Sequence, residues 1–377
     1  MMNKPTKRDQ MNAANRQAVE RKMWIDTLKL VAILGVIANH TQKVLYETMT
    51  IMQASLFCVT LFVLANGITS YASNKHRMNE PYLKYIGTKL KKVFLPYVVI
   101  SLMYIYFNEG TRIDLEKALI TLLSFSASGP MYYLFIYLQL ILIGRAMTML
   151  VDIIAARKYS WLLYIVTGTI LYLFSFWNMV HTIVPHILLA NFLFGGTYLF
   201  VFYIGMLFGR LFERIKLNRR TALLTLICSL AFCLCWLFFV MCRFLLVHNK
   251  VDYFTAINPP GLIVIIYAVF ILIIVWSLDA FVQSLNSKVV YSLRRAISSG
   301  GGHTLYIFML HMFFMRFLNM QWLKPYLAVN IHIKRILYLL TIFAGSIIIE
   351  KILNFCIDRL PALFVYAYKK ATDRVEE

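Results

Sequence analysis

Ten apolar runs follow one another along this chain, near residues 23–43, 51–73, 93–107, 130–150, 159–177, 191–209, 221–242, 261–278, 303–320 and 336–356. A helix that crosses the hydrocarbon of a bilayer needs about 20 mostly apolar residues. Repeated at this density, such runs leave little choice of solvent. Hydrophobic residues fill 60% of the positions and charged residues 15%, against about 25% charged in a water-soluble domain. The expected fold is all-α: a polytopic membrane protein of about ten transmembrane helices.

The 377 residues are used up by these spans and short connections. The expected organisation is therefore a polar N-terminal segment over residues 1–22, one transmembrane domain over 23–360 and a polar tail over 361–377. No apolar stretch ending in a cleavage site appears among the first 22 residues, so no removable leader is expected. Nor is there an internal repeat of the kind that builds solenoids.

A net charge of +21 raises the question of nucleic acid, but the basic residues sit in short loops between the apolar runs. Topology accounts for them better than a polyanionic partner, and no nucleic-acid partner is expected. With the N-terminus inside, the cytoplasmic segments and the tail hold 28 of the 38 Lys and Arg residues, the outer segments nine, and Lys29 lies within the first span. The positive-inside rule thus predicts both termini in the cytoplasm, with Lys89 on the inner side and His181 on the outer. Residues 115–125 and 279–298 are predicted to form amphipathic pieces, the latter on the cytoplasmic surface.

The six cysteines show no metal-ligand spacing; four of them, Cys228, Cys233, Cys235 and Cys242, share one apolar run and read as small packing residues. No metal and no permanently bound cofactor is expected. Tyr132, Tyr133, Trp161 and Trp177 read as membrane-interface aromatics, and His181 and His186 as residues of an uncharged outer loop.

Residues 23–41, MWIDTLKLVAILGVIANHT, depart from this pattern, because an acid, a lysine and a histidine interrupt an apolar helix. Ionisable groups inside a membrane are costly and usually functional. Lys29 and His40 are 11 residues apart, which places them ~20° from alignment and ~16 Å apart along the axis. Asp26 falls on the same stripe, ~40° from His40 and one turn before Lys29. Ile33 and Val36 fill the interval. One reading is a stripe lining a transmembrane slot, charged at the inner end and carrying His40 towards the outer one. The other is that Lys29 snorkels to cytoplasmic phosphates while His40 makes a structural hydrogen bond.

The same run resembles the first helix of the acyltransferase 3 family of integral membrane acyltransferases, "lDglRgiAillVv..H", with Asp26, Lys29, Ala32, Ile33, Leu34, Val36 and His40 on its frame. Lys29 stands where the family usually has arginine, a point charge in place of a planar fork. Residues 88–97, TKLKKVFLPY, are similar to "R..R(l)liPy", with Lys89 and Lys92 in the arginine places and Pro96 opening the third helix. Residues 129–142, GPMYYLFIYLQLIL, resemble the family's fourth helix, and residues 203–210, YIGMLFGR, the sixth, ending in "GmllgR". Residues 304–311, TLYIFMLH, resemble the late "SlgIYLlH".

The resemblance implies an acyltransferase, of the kind that O-acetylates surface polysaccharide. A cytoplasmic acyl-CoA, acetyl-CoA above all, would be the donor substrate, and a hydroxyl of a cell-surface glycan or its lipid-linked precursor the acceptor. The setting would be a bacterial plasma membrane, with glycan-synthesis machinery as a possible partner. Lys29, Lys89, Lys91 and Lys92 are the candidate cations for the nucleotide, and Lys29 and Asp26 are candidate catalytic residues together with His40. His40 is the candidate general base, since histidine's ordinary pKa of ~6.5 suits proton abstraction near neutrality. Asn39 is a candidate to orient the ring or the oxyanion. His311 is a candidate substrate-pocket residue on the strength of the resemblance. No Ser-His-Asp or Cys-His signature appears, which favours direct transfer over an acyl-enzyme, and an acyl-histidine stays open. A membrane carrier or flippase of a glycan or lipid-linked precursor is the alternative, because interior charges on many helices also describe transporters.

Overall fold

The computed structural model describes residues 7–41, 49–110, 113–180, 190–246, 260–317 and 331–376. His181 and His186 lie outside them. The described residues form thirteen α-helices and no strand. They are α1 (Lys7–His40), α2 (Met49–Ala54), α3 (Cys58–His76), α4 (Tyr82–Glu109), α5 (Leu115–Leu123), α6 (Tyr132–Ala155) and α7 (Ser160–Val180). There follow α8 (Leu199–Arg214), α9 (Arg219–Leu246), α10 (Leu262–Gln283), α11 (Lys288–Gly301), α12 (Thr304–Phe317) and α13 (Ile331–Glu376).

Nine helical stretches among the described residues are long and apolar enough to cross a bilayer. The tenth run is represented by the shorter apolar stretch Thr304–Arg316 in α12, whose sequence continues outside the described residues. The chain is an all-α, multi-pass membrane protein. Helices α7 and α9 display large apolar side chains outward, Trp161, Ile165, Leu224 and Phe232 among them. So much exposed apolar surface is tolerable in lipid and not in water.

Several boundaries differ from the sequence expectation. Helix α4 begins at Tyr82, and Pro96, expected to open the third span, lies inside it. The basic turns before the apolar run are helical too, and a bilayer helix tolerates an interior proline where neighbouring groups take up the freed carbonyl. Helix α10 runs on to Gln283, so the amphipathic piece expected over 279–298 is α11, displaced to Lys288–Gly301. Asp279 joins the two helices: both its carboxylate oxygens accept from Arg294, at 2.9 and 2.7 Å. The piece expected at 115–125 is α5, capped by Asp114, which accepts from the Glu116 and Lys117 amides.

Tyr133 is buried and its hydroxyl accepts from Asn66 at 2.6 Å, so this tyrosine is part of the interior and not of the interface. Cys233 is buried, whereas Cys228 and Cys235 are exposed on α9. The packing role expected of the four cysteines of this run thus holds for Cys233 and not for Cys228 or Cys235, and the Cys242 side chain lies outside the described ones.

Helix α3 is central and packs most extensively on α8. The approach is backbone to backbone. A Cβ on Gly205 would fall on the Leu64 carbonyl oxygen and 3.0 Å from the Gly67 Cα, and one on Gly209 would lie 3.0 Å from the Ile68 oxygen. Gly205 and Gly209 form a GxxxG step, the pattern that lets bilayer helices approach closely where no hydrophobic effect drives them together. Gly205→Val is therefore expected to cost about 3 kcal/mol or more, beyond ordinary overpacking because backbone cannot move aside. Gly87, where an added Cβ would meet nothing within 4 Å, is the control: Gly87→Ala should gain ~0.5–1 kcal/mol in helix stability. Thermal unfolding in detergent checks both.

Helix α1 packs against α3, α11, α12 and α10. Gly301 of α11 presses on the Asp26 backbone and Gly300 on Leu30, so α11 closes over the Asp26–Lys29 end of α1. Buried side chains fall into two apolar clusters, one centred on α1, α3, α6 and α8, the other on α4, α6 and α12. Helix α12 contributes to both, Ile307 and Phe308 to the first, Met309, Leu310 and Phe313 to the second.

Candidate active site

At the N-terminal end of the apolar part of α1, Asp26 is 8% exposed and accepts from the Lys29 ammonium at 3.2 Å. The i, i+3 spacing turns both side chains to one face. Each would be costly without the other, because an unpaired charge out of water loses its solvation. One carboxylate contact leaves the ammonium donors to spare.

Ile33 and Val36, the residues expected to line a slot, are 0% and 1% exposed and belong to the larger apolar cluster. The stripe that carries Lys29 and His40 is the face α1 turns towards its neighbours, so its middle is filled by side-chain packing and not by a slot. Leu34, on the other face, is exposed. The two ends of the stripe are separated by an apolar plug.

At the far end His40 is exposed. Its ring lies 5.3 Å from that of His311, centroid to centroid, with 43° between the planes. His311, on α12, is fully buried. Its Nδ1 lies 2.7 Å from the Phe308 carbonyl oxygen. A carbonyl can only accept, so Nδ1 carries the proton and donates. The His311 Nε2 is buried with no hydrogen-bond partner. Phe308 flanks the ring at 5.8 Å and itself rests against Tyr133 and Phe62. Asn39 is half-buried, and its amide donates to Ser55 at 3.4 Å.

The basic stretch lies on α4. Lys89 is half-buried with its ammonium 4.5 Å from the centre of the Tyr85 ring, whereas Lys91 and Lys92 are exposed. The Tyr85 hydroxyl is held by Asn74. Arg145 lies against the same ring and donates to the carbonyls of Arg77, Met78 and Glu80, which ties down the turn between α3 and α4. Sequence reading gave Arg145 no role beyond orientation; its position at the C-terminal end of an apolar run was the available signal.

Three further polar groupings stand out. Tyr71 donates to Asp152 at 2.7 Å, and Arg210 donates to both, joining α3, α6 and α8. Glu350, near the end of the last apolar run, is 2.7 Å from His303 Nδ1. Tyr306 donates to Asn354 at 2.6 Å, the next turn of the same α12–α13 contact. Residues 300–303, GGGH, before an apolar helix were the sequence signal for His303.

Chemically, α1 thus carries a paired lysine at one end and, beyond a packed apolar stretch, an accessible imidazole beside a second imidazole with an unoccupied lone pair. The first can hold phosphate; the second can move a proton. A family model described as an acyltransferase domain matches residues 23–351. No curated protein and no solved structure matches the chain.

Proposed function

Since the chain belongs to the acyltransferase 3 family, as the match over residues 23–351 shows, it is a membrane acyl-transferring enzyme, and we propose that it O-acylates a glycan. In this reading it moves an acyl group, most simply acetyl, from cytoplasmic acyl-CoA to a hydroxyl of a cell-surface polysaccharide or its lipid-linked precursor. It does so in the plasma membrane, with both termini inside. The observation that carries the reading is the arrangement of α1, with the Lys29–Asp26 pair at one end and His40, beside His311, at the other.

The donor's phosphates are drawn to Lys29, Lys89, Lys91 and Lys92. The pantetheine arm is long enough for the ~16 Å between Lys29 and His40. The plug at Ile33 and Val36 must yield as the arm enters, and otherwise keeps the two aqueous sides apart. At the outer end a sugar hydroxyl gives its proton to His40 as its oxygen bonds to the thioester carbonyl carbon. The C–S bond then breaks, and the CoA sulfur leaves as thiolate and takes up a proton.

In membranes of the chain's own host, the glycan and glycolipid fraction should gain label from acetyl-CoA labelled in the acetyl group. Incorporation no greater than in membranes lacking the protein would overturn the reading. Replacing Lys89 and Lys92 together by alanine should raise the KM for acetyl-CoA several-fold, an effect that shrinks as salt screens the attraction. An unchanged KM would remove both from the donor site.

Transport of the same precursor is the second reading. The break at 193–196, where Phe194, Gly195 and Gly196 have positive φ, is the feature that favours it, since carriers bind at broken helices. Here the break precedes α8 and is tied at its ends by Gln139 to the Phe192 carbonyl and Ser175 to the Gly196 carbonyl. It carries no charged group.

A further inference from the structure

His311 has no exposure, yet its Nε2 has no hydrogen-bond partner, and leaving a buried acceptor unsatisfied costs about 1–3 kcal/mol. The ring is held by donation from Nδ1 to the Phe308 carbonyl at 2.7 Å, which leaves the Nε2 lone pair permanently unprotonated in the neutral ring. A backbone carbonyl fixing one nitrogen so that the other stays available is the arrangement by which a histidine's tautomer is set for use. The nearby imidazole is that of His40, 5.3 Å away centre to centre. Two imidazoles joined edge to edge by an N–H···N bond have their centres roughly 5 Å apart, so the 5.3 Å between the His40 and His311 rings matches the spacing of such a bond.

Resting on the acyl-transfer reading above, we propose that His311 is the positioning residue of the His40 base, with His311 Nε2 accepting the N–H of the His40 ring in the reacting complex. That bond fixes the His40 tautomer and leaves its other nitrogen unprotonated towards the acceptor. When the hydroxyl proton arrives there, the ring becomes an imidazolium, and His311 stabilises it as a neutral acceptor. The proton then leaves His40 for the departing CoA sulfur, and both rings return to their starting state. His311 itself neither touches the acyl group nor changes protonation.

The test uses host membranes carrying matched amounts of each variant, with labelled acetyl-CoA as donor and the membranes' own glycan as acceptor. His311→Phe keeps an aromatic ring and removes the lone pair. It should lower the rate at saturating acetyl-CoA roughly 10–10²-fold with the acetyl-CoA KM unchanged. His311→Gln, whose side-chain oxygen can stand near the Nε2 position, should recover much of the loss. On a His40→Ala background His311→Phe should cost nothing more, because residues that act as a unit are not additive. If phenylalanine is not accommodated and the protein is lost, His311→Leu takes its place. Rates within twofold of the unmodified protein for His311→Phe, or a loss that persists in full on the His40→Ala background, would overturn the inference. Absence of label with the unmodified protein would instead sink the acyl-transfer reading, so the two failures are distinct.

Discussion

His40→Ala is expected to lower acyl transfer about 10²–10⁴-fold, the usual cost of removing a general base, with little change in thermal stability. The second half of that expectation comes from exposure. The His40 side chain is exposed at the end of α1, and surface substitutions outside caps and buried networks usually stay within ±0.5 kcal/mol. A loss of activity at preserved stability therefore separates chemistry from folding. Rates of the purified variant, set beside its unfolding temperature, check it. A variant that transfers at a near-normal rate would remove His40 from the mechanism.

Lys29→Met has the second large effect, and it acts on two quantities. Were Lys29 merely snorkelling to phosphates, an apolar replacement would be cheap or favourable in the bilayer. Its ammonium is instead engaged by Asp26, which is 8% exposed. Removing one partner of a buried pair leaves an uncompensated charge, at a cost of up to about 3–5 kcal/mol, less where water reaches the site. Lys29→Met should thus lose stability and most activity, whereas Lys29→Arg should keep the pair and much of the rate. The double variant Asp26→Asn, Lys29→Met separates the two effects. It should recover stability, since both charges are gone, and remain inactive, since the cation proposed to hold the donor is gone. Activity restored along with stability would show that Lys29 has a structural role only.

The order and placement of the spans were legible in the sequence because hydropathy is a local property and bilayer thickness sets a length. The Asp26–Lys29 pair was legible for the same reason, since i, i+3 geometry is decided within one helix. Reading stopped where tertiary contact began. That the Ile33 and Val36 face is packed shut depends on α3, α10 and α12 closing around α1, and no periodicity in residues 23–41 reports it. Tyr133 was misassigned to the interface because a tyrosine near the start of an apolar run looks the same whether it faces headgroups or Asn66. The true start of α4 was missed because its basic first turns carry no hydropathy signal. The His40–His311 juxtaposition joins the first helix to a late one; the sequence offered both residues but not their meeting. The glycines of the 203–210 motif came without a role, and the contact of Gly205 with Leu64 and Gly67 supplies it.

The central claim is that the acyl group starts at the cytoplasmic, Lys29 end of α1 and is transferred at the outer, His40 end. Sealed membrane vesicles of both orientations, given acetyl-CoA that cannot cross the bilayer, test it most directly. Inverted vesicles, whose cytoplasmic face is outward, are predicted to incorporate label into glycan on their inner side, with His40→Ala vesicles incorporating almost none. Label taken up by right-side-out vesicles instead, or incorporation undiminished by His40→Ala, would contradict the account.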